Sequence, residues 1–228
     1  MAALFAHSQA KLVVVLIAFS LALFLVFWPS REFQSIDGVV PITKIEKLND
    51  LAIVPPGQQD SWQFTQLPHY WYATEEESPQ VWYRIPLTFE NLANDDRSGL
   101  QALYIPKVAH NIEVYLDSQW LGRSGEFEPK LERHHNAPQI FSFQWQPHHQ
   151  YIYLRVAAHS IQQGLLTPVY LGPAKLLNPA HRFKTIIQVD LVQWFTLSMF
   201  VIGGLLLFLW LNRKQDIVYG LFALEMLV

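Results

Sequence analysis

Three consecutive aromatic residues followed by a run of acids provide the first candidate chemistry in this sequence. Tyr70, Trp71 and Tyr72 come shortly before three glutamates at positions 75–77. Aromatic rings can stack on the apolar face of a sugar ring, and carboxylates accept hydrogen bonds from its hydroxyl groups. The pattern favours a carbohydrate-binding surface with Trp71 and Tyr72 as candidate ligand-binding residues. The alternative is a loop whose rings pack against the rest of the protein.

A second group of candidate ligand-binding residues combines an aromatic ring with charges of both signs. Trp120, Arg123 and Glu126 come just after a turn predicted at Asp117 and Ser118. Arg84 joins them because the alternation of its strand predicts that it faces away from the core. Ligand binding is one interpretation of each residue, and an ordinary place on the surface or rim is the other.

The nine histidines include two adjacent pairs, His134-His135 and His148-His149. Imidazole binds transition metals and titrates near neutral pH. However, adjacent residues on a strand point to opposite faces, and the sequence has neither cysteine nor a His-x-x-x-His spacing. We therefore expect solvated loop histidines and no metal site, with a pH-sensitive cluster as the alternative interpretation.

Acidic residues offer no clear catalytic pair. Hydrolysis of a glycosidic bond needs two carboxyl groups that face each other across a cleft, and a sequence cannot show that arrangement. Asp95 and Asp96 lie in the cluster NDDRSG, where turn chemistry explains them better. We predict no catalytic residue and no cofactor in these residues, and we leave open whether the parent protein is an enzyme.

The elements that would position these residues are predominantly β-strands. In VWYRIPLTFE, residues 81–90, apolar and polar side chains alternate with period two, which is typical of a strand that covers a core. Pro86 cannot donate a backbone hydrogen bond, so we expect this strand to be an edge or to be bulged there. The same alternation recurs at residues 112–116, 139–145 and 151–158.

Strands at this spacing, with turn signals between them, predict a mainly β fold, either a sandwich or a jelly roll. Jelly-roll ligand sites often lie just past a hairpin such as the one predicted at Asp117 and Ser118. The only short helix that we allow outside the apolar segments is at residues 42–51.

Two apolar segments flank the predicted β-domain. Residues 191–211, LVQWFTLSMFVIGGLLLFLWL, carry no charge and have about the length that an α-helix needs to cross a bilayer. Arg213 and Lys214 follow this run directly, which predicts that this end is cytoplasmic. Residues 12–28 are also uncharged; we interpret them as an uncleaved anchor, with a cleaved secretory signal as the alternative.

The predicted organisation is therefore a domain held between membrane spans. It comprises a cytoplasmic start (1–11), an anchor (12–28), an extracytoplasmic domain (29–185), a transmembrane helix (188–211), and a cytoplasmic turn with the start of a truncated further span (212–228). All 14 prolines lie between Pro29 and Pro179. No basic patch is present in the central segment, so we predict no nucleic-acid partner.

Three stretches of the central segment carry a resemblance to a known family. VWYRIPLTFE, LQALYIPKVAHNIEVYLDSQWLGRSGEFEP and YIYLRVAAHS resemble the galactose-binding-like jelly roll outside the membrane in bacterial seven-transmembrane receptors with diverse intracellular signalling modules. They are also similar to the sugar-binding domain of β-galactosidase-type hydrolases. The resemblance covers about residues 48–172, and RKQDIVYGLFAL looks like the first turn between spans in those receptors. One departure is Asp117-Ser118, which replaces the usual Asn-Gly of the hairpin.

The resemblance implies a sensor in the bacterial inner membrane, with its jelly roll in the periplasm and a missing output module. That module would be a diguanylate cyclase, the first choice, or a histidine kinase; these residues contain no GGDEF string, kinase motif or Gly-rich phosphate loop. The implied partners are membrane lipid and a small-molecule or carbohydrate ligand or a periplasmic protein, and a homodimer stays open. The alternatives are a membrane-tethered carbohydrate-binding or carbohydrate-processing envelope protein and a structural subunit of an envelope complex.

Overall fold

The computed structural model describes residues 38–72, 80–88, 99–109, 111–125, 127, 137–158, 163–215 and 217–227. The chain divides into two units, Met1–Lys184 and Thr185–Val228. The anchor predicted at residues 12–28 lies outside the described residues. The first unit is mainly β-structure, and the second is helical.

The described part of the first unit forms short strands joined by turns and loops. In chain order the strands are β1 (Val40–Ile42), β2 (Lys44–Leu48), β3 (Gln63–Gln66), β4 (His69–Tyr72), β5 (Gln80–Pro86), β6 (Leu100–Ile105), β7 (Asn111–Leu116), β8 (Gln119–Ser124), β9 (Gln139–Gln144), β10 (Tyr151–Ala157), β11 (Gln163–Leu166) and β12 (Val169–Pro173). These elements are rich in β-branched and aromatic residues, which favour the pleated conformation.

The strands assemble into two main antiparallel sheets and one ribbon. The six-stranded sheet has the order β3-β2-β5-β10-β7-β8, and the four-stranded sheet has the order β1-β12-β6-β9. Strands β11 and β4 form the two-stranded ribbon. The register of each pair is continuous except for an irregularity between Val114 and Tyr115, where β7 pairs with β8.

The hydrophobic core lies between the two main sheets. Each sheet contributes alternate residues, for example Tyr83 and Leu154 from the six-stranded sheet and Leu103 and Leu171 from the four-stranded sheet, and all four are fully buried. Burial of apolar side chains of this size contributes about 1.5–3 kcal/mol each. The first unit is therefore a β-sandwich, as the alternation of the strands predicts.

A helix covers the other face of the four-stranded sheet. Helix α1 (Ala174–Thr185) begins directly after Pro173, the last residue of β12. Its residues Ala174 and Leu177 pack with Ala102 and Tyr104 in a second buried cluster. The sequence does not predict this helix, because only Ala174 and Leu177 of it are buried and Pro179 lies inside it.

Two local predictions from the sequence are wrong. Residues 42–51 contain strand β2 rather than a helix, because Ile45 is buried in the sandwich core and the strand pairs with β3 and β5 on its two sides. Strand β5 is an interior strand between β2 and β10 rather than an edge. Pro86 is tolerated because it is the last residue of β5, where the ladder of hydrogen bonds ends.

The second unit contains one π-helical turn (Ile186–Asp190), helix α2 (Leu191–Asn212) and helix α3 (Ile217–Leu227). Among the described residues, one continuous helix, Ala174–Asn212, is long and apolar enough to cross a membrane. Hydroxyl groups in α2 bond to the carbonyl four residues earlier: Thr196 Oγ1 donates to Val192 O at 2.9 Å, and Ser198 Oγ donates to Trp194 O at 2.8 Å. Both hydroxyls are therefore satisfied by backbone carbonyls of the same helix.

Helices α2 and α3 approach each other closely at Gly220. A Cβ atom at this position would come within 2.9 Å of the Trp210 ring. Of the adjacent glycines in α2, Gly203 is buried, whereas a Cβ at Gly204 would meet nothing within 4 Å. Gly220 is therefore a small residue that the α2–α3 contact requires, since the Trp210 ring occupies the space that a side chain would need.

Candidate functional site

The face of the six-stranded sheet that points away from the core, here called the outer face, carries three of the six candidate ligand-binding residues. Paired residues on neighbouring antiparallel strands share one face. One row across this face is formed by Glu46, Arg84, Tyr153 and Tyr115. The next row is formed by Leu48, Trp82, Arg155 and Glu113.

Arg84 lies on this face, as predicted, but it is buried, with 8% of its surface exposed. Its Nε donates to the Glu46 carboxylate, and its Nη1 donates to the backbone oxygen of Gln58 at 3.0 Å. The guanidinium carbon lies 4.5 Å from the Trp62 ring centre and 5.0 Å from that of Tyr151. Arg84 therefore holds the loop at residues 49–62 against the sheet through charge, hydrogen bonding and cation–π contact.

A second buried ion pair lies in the neighbouring row. Arg155 Nη1 donates to Glu113 Oε2 at 3.0 Å, and Arg155 Nε donates to Gln80 Oε1 at 2.7 Å. Tyr115 OH donates to the same Glu113 oxygen at 3.2 Å. Burial, followed by the Glu113 charge, raises the pKa of Tyr115. The phenol therefore stays protonated and acts as a donor in this network.

The loop at residues 49–62 is also tied to this network through backbone oxygens. Gln80 Nε2 donates to Asp50 O at 2.9 Å and to Ala52 O at 2.8 Å, while Trp82 Nε1 donates to Ala52 O at 3.0 Å. The sequence alone did not identify four residues that form the hydrogen bonds and ion pairs of the outer face: Glu46, Gln80, Glu113 and Arg155. The signal was present, because Arg155 and Glu113 are charged residues at outward positions of otherwise apolar strands.

Trp120 and Arg123 lie on the same outer face, at the edge strand β8. Trp120 pairs with Tyr115 and Arg123 pairs with Glu113. Trp120 is 54% exposed, and Arg123 is exposed as well. The structure thus brings three of the predicted residues, Arg84, Trp120 and Arg123, onto one surface. Glu126 lies outside the described residues.

The aromatic run at positions 70–72 separates into a buried and an exposed part. Trp71 is buried in the core and is not available to stack on a sugar. Its ring lies flat on Gly164, where a Cβ atom would come within 2.1 Å. Tyr70 and Tyr72 point to the other side of the ribbon and are 54% and 59% exposed. The glutamates at positions 75–77 lie outside the described residues.

Among the described histidines, His69, His149 and His181 make side-chain hydrogen bonds with distant parts of the chain. His69 Nε2 accepts from Lys47 Nζ at 3.2 Å, and His69 Nδ1 lies 2.8 Å from Tyr83 OH. His149 Nδ1 lies 2.9 Å from Asp117 Oδ2, so it donates to that carboxylate. Among the described residues, no group of three His, Cys, Asp or Glu side chains could hold a metal ion. The pair His134-His135 lies outside the described residues.

The hairpin that carries Trp120 has the predicted turn at Asp117 and Ser118. Asp117 adopts a left-handed backbone with a φ of 51°, a conformation that aspartate tolerates better than most residues. Its Oδ1 accepts from the backbone nitrogens of Gln150 at 3.1 Å and Tyr151 at 2.9 Å. Asp117 therefore ties the β7–β8 turn to the β9–β10 turn.

The outer face combines neutralised charges beneath a loop with exposed groups at one end of the sheet. Its two buried arginines are neutralised by glutamates, so they stabilise the surface rather than present a charge. Exposed groups remain at one end of the sheet, namely the Trp120 indole, the Arg123 guanidinium and the apolar loop residues Ile53 and Val54, which are 67% and 68% exposed. Tyr115 OH, 3.4 Å from Ile53 O, lies between that loop and Trp120.

No protein-family model matches the sequence, and no curated protein matches it. Solved structures with local similarity are carbohydrate-processing enzymes. A calcium-binding mutant of β-glucuronidase 2 from Bacteroides uniformis is 14% identical at a TM-score of 0.44, over 58% of this chain and 18% of that one. A glycosyl hydrolase family 2 member from Bacteroides cellulosilyticus is 11% identical at a TM-score of 0.44, over 59% and 20%.

The β-glucuronidase of Bifidobacterium dentium in complex with coumarin-3-O-glucuronide is 13% identical at a TM-score of 0.41, over 62% of this chain and 31% of that one. This chain therefore spans less than a third of the length of these three structures.

Proposed function

We propose that this chain is the sensory part of a membrane signalling protein of the bacterial inner membrane. Its β-sandwich, a galactose-binding-like jelly roll in this proposal, detects a ligand or partner in the periplasm. The helices pass that event to a cytoplasmic output module, first of all a diguanylate cyclase, with a histidine kinase as the alternative. The observation that carries the proposal is the direct passage of the last strand, β12, into the apolar helix.

This direct connection matters because a flexible linker would not transmit a change in the sandwich. Strand β12 ends at Pro173, α1 begins at Ala174, and helical structure continues to Asn212. The end of the helix carries no charge between residues 191 and 211. Differential binding of a ligand to two arrangements of these elements would shift their equilibrium.

The position of the first strand determines where the preceding segment leaves the sandwich. Val40 of β1 pairs with Leu171 of β12, and Gly38 O would lie 2.8 Å from a Cβ at Gly172. The chain that leads back to residues 1–37 therefore leaves the sandwich beside the start of α1. In the proposal, residues 12–28 are the anchor that crosses the membrane from this end.

The exposed side chains of α2 also support membrane insertion. Trp194, Phe195 and Leu205 are 66%, 59% and 60% exposed. Apolar side chains that stay uncovered along a whole helix are unfavourable in water and favourable in lipid. Arg213 and Lys214 place the end of α2 on the cytoplasmic side in the proposal.

For the ligand, the proposal uses the exposed end of the outer face, around Trp120 and Arg123. An exposed indole and a guanidinium together suit a small molecule or sugar with an apolar face and anionic or hydroxyl groups. The helix of the second unit would not be needed for this recognition, because the surface is built within the sandwich alone.

A second candidate function is a membrane-tethered carbohydrate-binding envelope protein. The observation that favours it is the pair Tyr70 and Tyr72, whose rings share one exposed side of the β4–β11 ribbon. Trp71 packs on the opposite side against Gly164, so it fixes the ribbon in the core. Such a rigid pair of phenols suits stacking and hydrogen bonding with a sugar chain.

Membrane topology is tested first, and the absence of native cysteine makes single-cysteine labelling clean. Trp120→Cys should react with a membrane-impermeant maleimide on cells with a permeabilised outer membrane. Lys214→Cys should react only after the inner membrane is opened. Labelling of position 214, but not 120, before the inner membrane is opened would contradict the proposal.

Sensing is tested with the full chain in detergent. A thermal-shift screen against sugars and small anions should find a ligand that raises the melting temperature with concentration. The variants Trp120→Ala and Tyr72→Ala then separate the two candidate surfaces, because each removes one exposed ring. A ligand shift lost only with Tyr72→Ala would favour the second candidate function.

A further inference from the structure

Strand β3 lies at one edge of the six-stranded sheet and lacks the residues that usually protect an edge strand from pairing. Among the described strands it pairs with β2 alone. Its sequence is QFTQ, with neither a charge nor a proline. Phe64 is 85% exposed, so a large apolar side chain stands in solvent at the end of a sheet.

The opposite edge of the same sheet is built differently. Strand β8 carries Arg123, and its pairing with β7 is irregular between Val114 and Tyr115. Charged side chains and bulges on an edge strand discourage pairing with another strand. Strand β3 has neither device, and among the described residues no second strand pairs with its outer edge, so this edge can accept a further strand.

The exposed ring of Phe64 borders an open cleft. A cleft of about 400 Å³ is lined by Lys44, Phe64, Thr65 and Gln66. Phe64 and Lys44 lie on the outer face with Glu46, since Glu46 pairs with Phe64 and Lys44 pairs with Gln66. An added strand would therefore continue the outer face and cover the exposed ring of Phe64.

We propose that a second copy of this chain occupies this edge through its own β3. Two copies related by a twofold axis perpendicular to the sheet would pair antiparallel with their outer faces on the same side. If the axis passes beside Phe64, the Phe64 residues of the two copies stand directly opposite each other. In the same register, Gln63 of one copy stands opposite Thr65 of the other. The edge is self-complementary in this register because an aromatic pair lies at the centre and no charges face each other.

The small area of a β3–β3 contact indicates that the dimer forms in the membrane rather than in solution. Strand β3 has four residues, and a stable interface in solution buries about 1,200 Å² or more, which a pair of such short strands does not reach. The inference therefore rests on the membrane attachment in the proposed function, because confinement to one membrane raises the effective concentration of the second copy.

The test uses disulfide formation at the axis in the full, naturally cysteine-free chain. Directly opposite residues of an antiparallel pair have Cα atoms about 4.5–5.5 Å apart, within the range of a disulfide. Phe64→Cys in membranes should give about tenfold more disulfide-linked dimer than Tyr70→Cys, because both variants share the membrane confinement and only position 64 stands opposite its own copy in the proposed register. Tyr70 is a matched control because it is also an exposed aromatic residue on a strand, at 54% exposure.

A second variant tests the contact without a disulfide. Phe64→Lys places like charges opposite each other at the axis and should abolish the dimer detected by amine cross-linking in membranes, whereas Phe64→Tyr should retain it. Equal cross-linking of positions 64 and 70, or a dimer that survives Phe64→Lys, would overturn the inference. Membrane fractionation separates this result from the proposed function: a membrane-bound chain without the contact refutes only the dimer, and a soluble chain refutes the proposed function.

Discussion

Arg84 of β5 stands directly opposite Glu46 of β2, and its guanidinium donates to the Glu46 carboxylate beneath the loop at residues 49–62. The side chains of the two residues are only 10% and 18% exposed. A charged pair on the outer face of a sheet is ordinarily hydrated, and here the loop covers it. This pair therefore links the stability of the loop to that of the sheet.

The first prediction concerns this pair. Arg84→Ala should lower the free energy of unfolding by about 3 kcal/mol, because it leaves the Glu46 charge buried without its partner. Denaturant titration of the full chain in detergent measures the change. Arg123→Ala, at an exposed position of the same face, serves as the control and should change stability by about 0.5 kcal/mol or less. Equal effects of the two substitutions would show that Arg84 does not hold the loop.

The second prediction concerns the contact between Trp71 and Gly164. Gly164→Ala should destabilise the protein by about 1–3 kcal/mol, because its Cβ would come within 2.1 Å of the buried indole and the ring cannot move without disturbing the core. Thermal unfolding followed by tryptophan fluorescence provides the measurement. Gly57→Ala is a suitable control, since its nearest neighbour is the Asp60 carboxylate at 3.4 Å and little change is expected there.

The third prediction is a loss of stability at alkaline pH through Tyr83. Burial raises the pKa of this phenol far above its ordinary value. Above about pH 10 the unfolded chain releases the proton and the folded chain retains it. The stabilising contribution is therefore fully present below pH 10 and falls by about 1.4 kcal/mol per pH unit as the pH rises toward the folded pKa.

Denaturant titrations between pH 9 and 11 measure this slope. Tyr83→Phe should make the slope shallower, although it also removes the hydrogen bond with His69 and so lowers stability at every pH. An unchanged slope in Tyr83→Phe would argue against the contribution of this phenol.

The fourth prediction concerns ligand binding at Trp120. Trp120→Ala should weaken binding of a ligand found by the thermal-shift screen by more than about fivefold, as truncation of a central aromatic contact does. Its folding stability should change little, because the indole is 54% exposed. Isothermal titration calorimetry measures the affinity, with Tyr72→Ala as the matched variant on the ribbon. Undiminished affinity in Trp120→Ala would remove this end of the outer face from the binding site.

The fifth prediction concerns the helices of the second unit. Gly220→Leu should separate α2 from α3, because even a Cβ at this position would lie within 2.9 Å of the Trp210 ring. The expected result is a lower melting temperature in detergent and a red-shifted tryptophan spectrum. Gly204→Leu, where a Cβ would meet nothing within 4 Å, should preserve both properties. A larger effect of Gly204→Leu than of Gly220→Leu would contradict this account of the contact.

Much of the strand pattern could be predicted because it depends on neighbours in the sequence. The period-two alternation at residues 112–116, 139–145 and 151–158 predicts three strands, and the structure confirms them. The turn at Asp117 and Ser118 was also correct. These features are local, since a strand alternates its faces whatever it pairs with.

The roles of the individual site residues depended on packing partners distant in sequence. Arg84 was correctly placed on the outer face, but its burial follows from a loop more than twenty residues earlier, which folds over it. Trp71 belongs to the core because β11 brings Gly164 beneath its ring. The periodicity of the strands around Arg84 and Trp71 does not show which distant segment covers each residue.

By itself, the sequence determined the mainly β character of the central segment, the faces of its main strands and the apolar run at residues 191–211. Each follows from residues close together in the chain, through alternation or through length and polarity. Only the tertiary structure decided that β1 lies beside β12, that two glutamates neutralise the outer-face arginines, and that β3 is left at an edge. Strand order and long-range contacts depend on burial of apolar surface between segments that are distant in sequence. The free energy of this burial is gained only when the core assembles, so no single segment of the sequence reveals it.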